Sequence, residues 1–312
     1  MSNHADETSP VVYLAGKIGK NDWRHELVEE LRSYGSNELY EDPTKEWPIL
    51  PNAIEGGFSY SGPFFIACDH GCSHGENTHG YDEGCLGPAF YDEIKRRDNT
   101  QRKVHIAEQC RKALERSDYV FAWIDDLTAY GTLFELGYAK ALGKKIFLAI
   151  PEHFHDEREL WFSFISIESS SNNRVLRTDR TPVQTFIEIF VPYVEHLRDL
   201  DRKRNLLESP IEKMFFDECQ HWGSLADIEP QWEITINEKK YRADFAFPES
   251  KTTIELDGHE YHKTKEQRTS DAQRERAFKS AGWNVIRFTG SEIYKDTKKC
   301  VGEAYRLILG EA

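Results

Sequence analysis

Three carboxylates in the last third of the chain interrupt segments that are otherwise apolar or strand-like. Asp244 lies within residues 241–247, while Glu255 and Asp257 lie within residues 252–257. Positions two apart on a strand share a face, so Glu255 and Asp257 share one. Clustered carboxylates repel one another unless a divalent cation lies among them, and all-oxygen ligands favour Mg²⁺ or Mn²⁺. Such a cation activates water for phosphodiester cleavage. The alternative is a solvated edge strand with scattered acids.

Glu212 is a fourth candidate ligand for this cation. It follows Ser209 and Pro210, which are typical of an N-cap and a first helical position. A glutamate three residues after the cap completes a capping box, so helix capping explains Glu212 equally well.

Alternating strands and helices in the first half predict a parallel sheet with helices on its faces. Apolar runs predict strands at 11–16, 119–124 and 145–150, with helices at 22–34, 104–116 and 132–142. Such sheets bind ligands beyond the carboxyl ends of their strands. The nucleotide-binding candidates at these ends are Tyr13, Gly16, Lys17, Asp125, Gly131 and Thr132.

Glu135, in the segment that opens the third of these helices, is the candidate catalytic residue of the first half. A carboxylate here could attack the anomeric carbon of a nucleoside, or stabilise the oxocarbenium-like centre that forms there. Thr132 and Glu135 fit a capping box equally well.

Residues 48–100, rich in Gly, His and aromatic side chains, are predicted as a long inserted loop. Cysteine and histidine in this loop could supply the four tetrahedral ligands of Zn²⁺, and the candidates are Cys68, Cys72, His74 and Cys85. Two other interpretations stay open: a loop of packed or solvent-facing His and reduced Cys, or a lid that contacts a small ligand.

A different pattern begins near Ser209. Helices are predicted at 210–220, 267–281 and 295–309, and strands at 232–236, 241–247, 252–256 and 284–288. Upstream, a helix at 183–197 should be interrupted by Pro192, and the charged residues 198–205 are predicted as a linker. We therefore expect an α/β protein of two domains, 10–200 and 208–312.

Charge and composition limit the partners of these domains. The 312 residues carry a net charge of −14, but the part from Ser209 onward has 16 Lys and Arg against 19 Asp and Glu, a net charge of −3. Because phosphates require cations, nucleic acid should meet the C-terminal part. We expect neither a membrane-spanning segment nor a signal peptide, because no apolar run approaches the required length and the first residues are polar and acidic. Six scattered cysteines do not form a disulfide framework, so we expect a reduced, cytoplasmic protein.

Three segments of the first half carry a family resemblance. They are Tyr13-Leu-Ala-Gly16, Ser117-Asp-Tyr-Val-Phe-Ala and Gly131-Thr-Leu-Phe-Glu135-Leu-Gly. Together they resemble the nucleoside 2-deoxyribosyltransferases and the related deoxynucleoside-monophosphate N-glycosidases, over roughly residues 10–155. The resemblance implies a flavodoxin- or Rossmann-like sheet, Glu135 as nucleophile, and contacts from the Tyr13–Gly16 loop to the sugar or its phosphate. Cys110 stands where relatives carry an aspartate, so hydrolysis or nucleotide binding is expected in preference to transfer.

A second set of segments covers the C-terminal part. They are Ser209-Pro-Ile-Glu212, Arg242-Ala-Asp244-Phe, Ile254-Glu255-Leu-Asp257-Gly-x-x-x-His262, Asp271-x-x-Arg274 and Gly282-Trp-x-Val-Ile-Arg287-Phe. They resemble the PD-(D/E)XK nucleases, in the branch of the very short patch repair endonucleases. The resemblance implies an α/β/α restriction-endonuclease-like domain.

The nuclease resemblance also implies roles for single residues. Asp244 and Glu255 would be metal ligands supported by Glu212, with Asp257 in the place of the usual lysine. His262 could transfer protons, since its unperturbed pKa is near neutrality, or it could be a surface histidine. Two arginines, Arg274 and Arg287, could contact phosphates, although solvation on a helix surface explains Arg274 equally well.

We therefore expect a metal-dependent nuclease, acting on DNA in preference to RNA, joined to a domain that binds or processes a nucleoside or nucleotide. This kind of fusion suggests an effector of anti-phage defence. One alternative is an N-glycosidase or deoxyribosyltransferase whose C-terminal domain only binds nucleic acid. Another makes the first domain a ligand sensor or an oligomerisation platform. Cleavage of both strands would favour a homodimer.

Overall fold

The computed structural model describes residues 9–18, 22–28, 31, 46–64, 100–154, 157–170, 173–225, 227–258 and 265–309. The chain divides into two compact units, Met1–Val194 and Glu195–Ala312.

A six-stranded sheet forms the centre of the first unit. Its strands are β1 (Val11–Gly16), β2 (Leu50–Ile54), β3 (Phe58–Gly62), β4 (Tyr119–Trp123), β5 (Lys145–Pro151) and β6 (Arg174–Thr178), in the order β2-β3-β1-β4-β5-β6. β2 is antiparallel to β3, and the other neighbours pair in parallel. Its described helices include α1 (Arg24–Leu27), α2 (Thr100–Arg116), α3 (Tyr130–Ala141), α4 (Glu157–Glu168) and α5 (Pro182–Thr185).

The strand order creates a crevice at one edge of this sheet. Counting the parallel strands alone, the order is 2-1-3-4-5, which is flavodoxin-like. From β1 the chain continues to β3 on one side, and from β4 it continues to β5 on the other. The crevice therefore lies beyond the carboxyl ends of β1 and β4, where such folds bind ligands.

Aromatic side chains form the core on one face of this sheet. A π-helical turn, Phe186–Phe190, connects α5 to α6 (Val191–Asn205) and packs against Phe121 and Phe147. The irregular turn lies just before Pro192, which lacks an N–H to donate and crowds the preceding turn. The expected interruption is therefore present, but residues 198–205 are helical and not an irregular linker.

The long loop predicted for residues 48–100 is wrong at its beginning, because β2 and β3 lie there. β3, with the sequence Phe-Ser-Tyr-Ser-Gly, is buried at every position between β1 and β2. Its small hydroxyls fit the sheet interior, and Ser61 Oγ donates to the Val12 carbonyl at 3.3 Å. Composition thus concealed a buried strand. The first predicted helix is wrong just beyond Leu27, because Val28 is extended and forms an isolated bridge with Ile54. Residues 65–99 and most of 29–45 lie outside the described residues.

The second unit contains a four-stranded sheet. Its strands are β7 (Glu229–Ile236), β8 (Lys239–Phe247), β9 (Thr252–Asp257) and β10 (Asn284–Thr289), in the order β10-β9-β8-β7. Neighbours pair antiparallel except β9 and β10, which are parallel. Its helices include α7 (Pro210–Cys219), α8 (Lys265–Ser280) and α9 (Gly290–Leu309).

The core of the second unit forms between α7, α9 and the sheet. Phe215 of α7 packs against Phe245 of β8 and Phe288 of β10, with ring centroids 5.6 and 5.9 Å apart. Asn237 and Glu238 join β7 to β8, and both have a positive φ, as a type I′ turn requires. The α/β class and the mostly parallel first sheet with flanking helices are confirmed.

Within the described ranges, no helix has both the length and the apolar character of a membrane span.

Candidate active sites

Tyr13 and Glu135 meet beside the crevice of the first sheet. Tyr13 lies in the middle of β1 and is fully buried, and Glu135 lies on α3. The Tyr13 hydroxyl donates a 2.5 Å hydrogen bond to Glu135 Oε1. The fold thus joins two candidate residues that are 122 positions apart in the sequence.

Helix capping does not explain Glu135. α3 begins at Tyr130 after Ala129 as its N-cap, and no side chain caps it. Thr132 and Glu135 therefore lie inside the helix, and the capping-box interpretation is wrong. Glu135 directs its carboxylate to Tyr13 and not back to the helix terminus.

Burial dominates the electrostatics of the pair. It raises the pKa of Glu135 to about 7, although the hydrogen bond from Tyr13 and the positive charge of Arg24 both act to lower it. Burial, assisted by Cys110 and Glu135, raises the pKa of the Tyr13 phenol well above its usual value. Tyr13 is therefore a hydrogen-bond donor at neutral pH, while Glu135 exchanges between its two protonation states. A carboxyl poised near neutrality in a cleft is typical of catalytic sites.

A buried ion pair holds the carboxyl end of β1. Arg24 and Asp22 are 0% and 4% exposed, and Arg24 Nη1 donates to both Asp22 oxygens at 2.8 and 2.7 Å. Arg24 Nε and Nη2 donate to the carbonyls of Leu14 and Gly16, each at 2.8 Å. A Cβ at Gly16, where φ is +158°, would lie 3.0 Å from Arg24 Nη2 and 3.1 Å from the Trp123 carbonyl oxygen. Glycine therefore permits this close approach.

An open pocket of about 240 Å³ lies at this crevice. It is formed by residues that follow β1, β3 and β4, by Trp47 and by residues of α2 and α3. Its lining is Gly16, Lys17, Ile18, Trp47, Pro63, Phe64, Cys110, Thr128, Ala129, Gly131, Thr132 and Glu135. An apolar wall with a few converging polar groups is typical of small-molecule sites. The sequence did not reveal Trp47, Pro63 and Phe64, because they belong to or adjoin the segment interpreted as a loop.

Lys17 lines the pocket but is paired with an acid. Its Nζ lies 2.5 Å from Asp126 Oδ2 and 2.6 Å from Thr128 Oγ1. The hydrogen bonds from Lys17 and Thr128 hold the pKa of Asp126 well below its usual range. Asp125, the predicted binding residue, is exposed and does not line the pocket. Its neighbour Asp126 instead orients the lysine.

Cys110 of α2 lines the same pocket. Burial raises the pKa of its thiol to about 12, with a further contribution from Glu135. The thiol is therefore neutral at physiological pH and cannot replace the charge of the aspartate found in relatives. The zinc candidates Cys68, Cys72, His74 and Cys85 lie outside the described residues.

In the second unit, Asp244 of β8 and Glu255 of β9 lie side by side. The pairing of Phe245 with Ile254 places these two carboxylates opposite each other on neighbouring strands. Asp244 Oδ2 accepts a 2.7 Å hydrogen bond from the Leu256 amide. Burial raises the pKa of both carboxyls, and that of Glu255 rises to about 7.

Arg274 of α8 contacts Glu255 directly, and its charge also acts on Asp244. Its Nη2 lies 2.6 Å from Glu255 Oε1 and also donates to the Arg242 carbonyl. The side chains of Arg274 and Glu255 are 27% and 11% exposed, so their ion pair is largely removed from water. Arg274 is therefore engaged with the acids and is not merely solvated on the helix surface.

Glu212 lies in the first turn of α7, where Ser209 is the N-cap, and it also belongs to the acid site. Its Oε1 accepts from Ser209 Oγ at 2.6 Å, and the Ser209 hydroxyl accepts from the Glu212 amide at 3.3 Å. Its Oε2 accepts from the Glu208 amide and from Gln231 Nε2, each at 2.9 Å. Glu212 is 7% exposed, and its charge contributes to the raised pKa of Asp244. The two interpretations of Glu212 are thus compatible.

The structure describes two of the three remaining predicted residues of this site. Asp257 lies at the end of β9 and acts electrostatically on both Asp244 and Glu255. Arg287 of β10 pairs in register with Glu255, and its charge lowers the pKa of that carboxyl. His262 lies outside the described residues.

The acids fit a hard cation in chemistry but are not gathered around one point. Among the residues that the structure describes, no group of three or more His, Cys, Asp or Glu side chains could hold a metal ion. Buried carboxylate oxygens are what Mg²⁺ and Mn²⁺ prefer, and Arg274 supplies the compensating charge instead. Asp244 and Glu255 are the residues that would hold such a cation.

Comparison with protein families matches both units. The family model for nucleoside 2-deoxyribosyltransferase matches residues 73–163, and the restriction-endonuclease-like model REase_MTES_1575 matches residues 218–308. The first matched segment includes Glu135, and the second includes Asp244 and Glu255, so each candidate site lies in a segment that is similar to an enzyme family.

Among solved structures, the chain is similar to a CMP N-glycosidase, BcmB, of Clostridium botulinum. The two chains are 17% identical, with a TM-score of 0.24, over 34% of this chain and 88% of that chain. A search of curated proteins finds no match.

Proposed function

We propose that the second unit is a nuclease that depends on Mg²⁺ or Mn²⁺ and cleaves phosphodiester bonds, with DNA as the expected substrate. The observation that supports this proposal is the juxtaposition of Asp244 and Glu255, a half-buried and a buried carboxylate that lie opposite each other on neighbouring strands. Withdrawing two such groups from water side by side is unfavourable unless positive charge compensates them, and the single charge of Arg274 offsets only one of the two. Structural stability alone would not require them.

The residues around the pair have distinct tasks in this proposal. A bound cation would activate water and stabilise the charge that develops on the phosphate. Asp244 is held by the Leu256 amide, so its free oxygen is oriented without rearrangement. Arg274 neutralises Glu255 before the cation arrives and, once displaced, can reach a phosphate. His262 would transfer protons to the leaving group.

Cation-dependent cleavage of plasmid, single-stranded DNA and RNA by the full chain tests this proposal. Glu255→Gln should abolish cleavage, because it removes an anionic ligand while keeping the side-chain shape. Glu249→Gln, an exposed acid between β8 and β9, is the matched control and should cleave like the wild type. Equal cleavage by wild type and Glu255→Gln would refute the proposal.

We also propose that the first unit binds a nucleoside or nucleotide and hydrolyses its N-glycosidic bond. The hydrogen bond between Tyr13 and Glu135 at the pocket supports this activity, because it orients an ionisable carboxylate there. A Glu135 oxygen would bond to the anomeric carbon while the base leaves with the electrons of the glycosidic bond and takes a proton from water. Water would then attack the same carbon, lose its proton and release Glu135. The neutral thiol of Cys110 gives no second acid for transfer to another base.

Release of free base from deoxynucleoside monophosphates, followed by chromatography, tests this second activity. Glu135→Gln should abolish release and leave nucleic-acid cleavage unchanged. Glu152→Gln, an exposed position after β5, is the control. If nucleotides bind without being consumed, and binding stimulates cleavage, the first unit is a sensor and the hydrolytic proposal is wrong.

The presence of both units in one chain supports a role in anti-phage defence, and we expect the protein to act in a reduced cytoplasm. Nucleases that cut both strands often act as symmetric pairs, so we include a homodimer in the proposal. Survival of phage-infected cells should depend on Glu255, and sedimentation of the purified chain should show the dimer.

A further inference from the structure

Gln231 contacts the acid site of the second unit although no motif includes it. Its Nε2 donates a 2.9 Å hydrogen bond to Glu212 Oε2. A carboxylate can only accept, so this contact fixes which end of the amide faces Glu212. The other end, Gln231 Oε1, is buried without a hydrogen-bond partner. A buried acceptor with no donor is unfavourable and calls for an explanation.

The strand register places Gln231 next to the predicted metal ligands. Pro230 pairs with Phe245 and Trp232 pairs with Ala243, so Gln231 falls opposite Asp244 on the neighbouring strand. Glu212, which Gln231 holds, is close enough to contribute to the raised pKa of Asp244. Gln231 therefore lies among the acids, and its unpartnered oxygen is a neutral ligand of the type that hard cations accept.

The backbone at Gln231 is also unusual. Its φ is +52°, in the left-handed region that favours glycine and disfavours a residue with a long side chain. Unlike Asn237 and Glu238, it does not lie in the hairpin turn but inside β7. Such conformations persist where the surrounding structure imposes them and are concentrated at functional sites.

We infer that Gln231 is a positioning residue of the proposed cation site. Its amide nitrogen orients Glu212, and its Oε1 provides a neutral oxygen for the cation or for a water bound to it. The inference rests on the cation-dependent activity proposed for the second unit. It explains the unpartnered oxygen, the contact with Glu212 and the left-handed backbone together.

Calorimetric titration of the full chain with Mn²⁺, without nucleic acid, tests this inference. Gln231→Gly removes the amide and suits the left-handed backbone, so the fold should be retained. We expect its Mn²⁺ affinity to fall by about 10-fold or more, as for residues that orient metal ligands. Asn237→Gly is the matched control, because it also places glycine at a left-handed position of the same hairpin, and its affinity should not change.

Gln231→Glu keeps the side-chain shape and separates the site role from a structural one. Without metal, the new carboxylate faces Glu212 and should lower the melting temperature of the second unit. With Mn²⁺, the added charge should give a larger rise in melting temperature than in the wild type. A merely structural glutamine would give a lower melting temperature with an unchanged response to Mn²⁺.

The outcomes distinguish this inference from the proposed function. If the wild type binds Mn²⁺ and Gln231→Gly binds it equally well, the role of Gln231 is refuted while the nuclease proposal stands. If the wild type neither binds Mn²⁺ nor cleaves nucleic acid, both fail together.

Discussion

The hydrogen bond from Tyr13 to Glu135 should control the pH at which the first unit works. Tyr13→Phe removes the hydroxyl and keeps the buried ring. Because the phenol donates to Glu135 Oε1 at 2.5 Å, it stabilises the ionised carboxylate. Its loss should therefore raise the pKa of Glu135 above about 7, since burial would then be opposed mainly by the charge of Arg24.

The size of the shift follows from the strength of this contact. A hydrogen bond to a charged group contributes about 1.5–3 kcal/mol, and one pKa unit corresponds to about 1.4 kcal/mol. The pKa of Glu135 should thus rise by about one to two units. Because the nucleophile must be ionised, base release should require correspondingly higher pH.

Two measurements test this prediction. The pH dependence of kcat/KM for base release reports the catalytic ionisation, and the ¹³C shift of the glutamate carboxyl reports it without substrate. Glu135→Gln identifies the resonance in the spectrum. An unchanged or lower pKa of Glu135 in Tyr13→Phe would refute the assignment of Tyr13 as the stabilising donor.

Three further predictions concern stability, each measured by urea unfolding. Burial raises the pKa of Glu135 in the folded state to about 7 from 4.5, so its favourable contribution to folding is complete below about pH 4.5 and is lost as pH rises through 7. Glu135→Gln should therefore be more stable than the wild type at pH 8 by up to about 3 kcal/mol. An equally large gain in stability at pH 4 would contradict this reasoning. Arg24→Met removes the guanidinium that neutralises the buried Asp22 carboxylate, so the first unit should lose about 3–5 kcal/mol. A loss below about 1 kcal/mol would show that the pair is not buried in solution. Arg274→Met removes the ion-pair partner of Glu255 and should destabilise the second unit by about 2 kcal/mol, a value between those for surface and buried ion pairs. Mn²⁺ should restore more stability in this variant than in the wild type.

Periodicity predicted most elements that position the sites. The apolar runs at β1, β4 and β5 and the strands of the second unit appear within a few residues of their expected bounds. β3 escaped prediction because its serines and glycine conceal a strand that is buried on both sides. β6 likewise has a mixed polar sequence, and its position depends on pairing with β5. Long-range pairing determines such strands, and local composition does not.

The candidate sites were predictable as residue types but not as geometry. The sequence placed Glu135, Asp244 and Glu255 at strand and helix positions that could bear chemistry. Two of the partners that tune the acids, Tyr13 and Arg274, belong to motifs that the sequence shows, although the contact of Arg274 with Glu255 was not expected. Gln231, which holds Glu212, belongs to no motif. The predicted capping box was wrong as well: Thr132 and Glu135 have the required spacing, but α3 begins at Tyr130, two residues before Thr132.

The most direct test of the account is Mg²⁺-dependent cleavage of DNA by the wild type, Glu255→Gln and Glu135→Gln, with base release measured on the same samples. We expect Glu255→Gln to lose cleavage and retain base release, and Glu135→Gln to show the reverse. Two activities that disappear together in either variant, or cleavage that survives Glu255→Gln, would contradict the assignment of one active site to each unit.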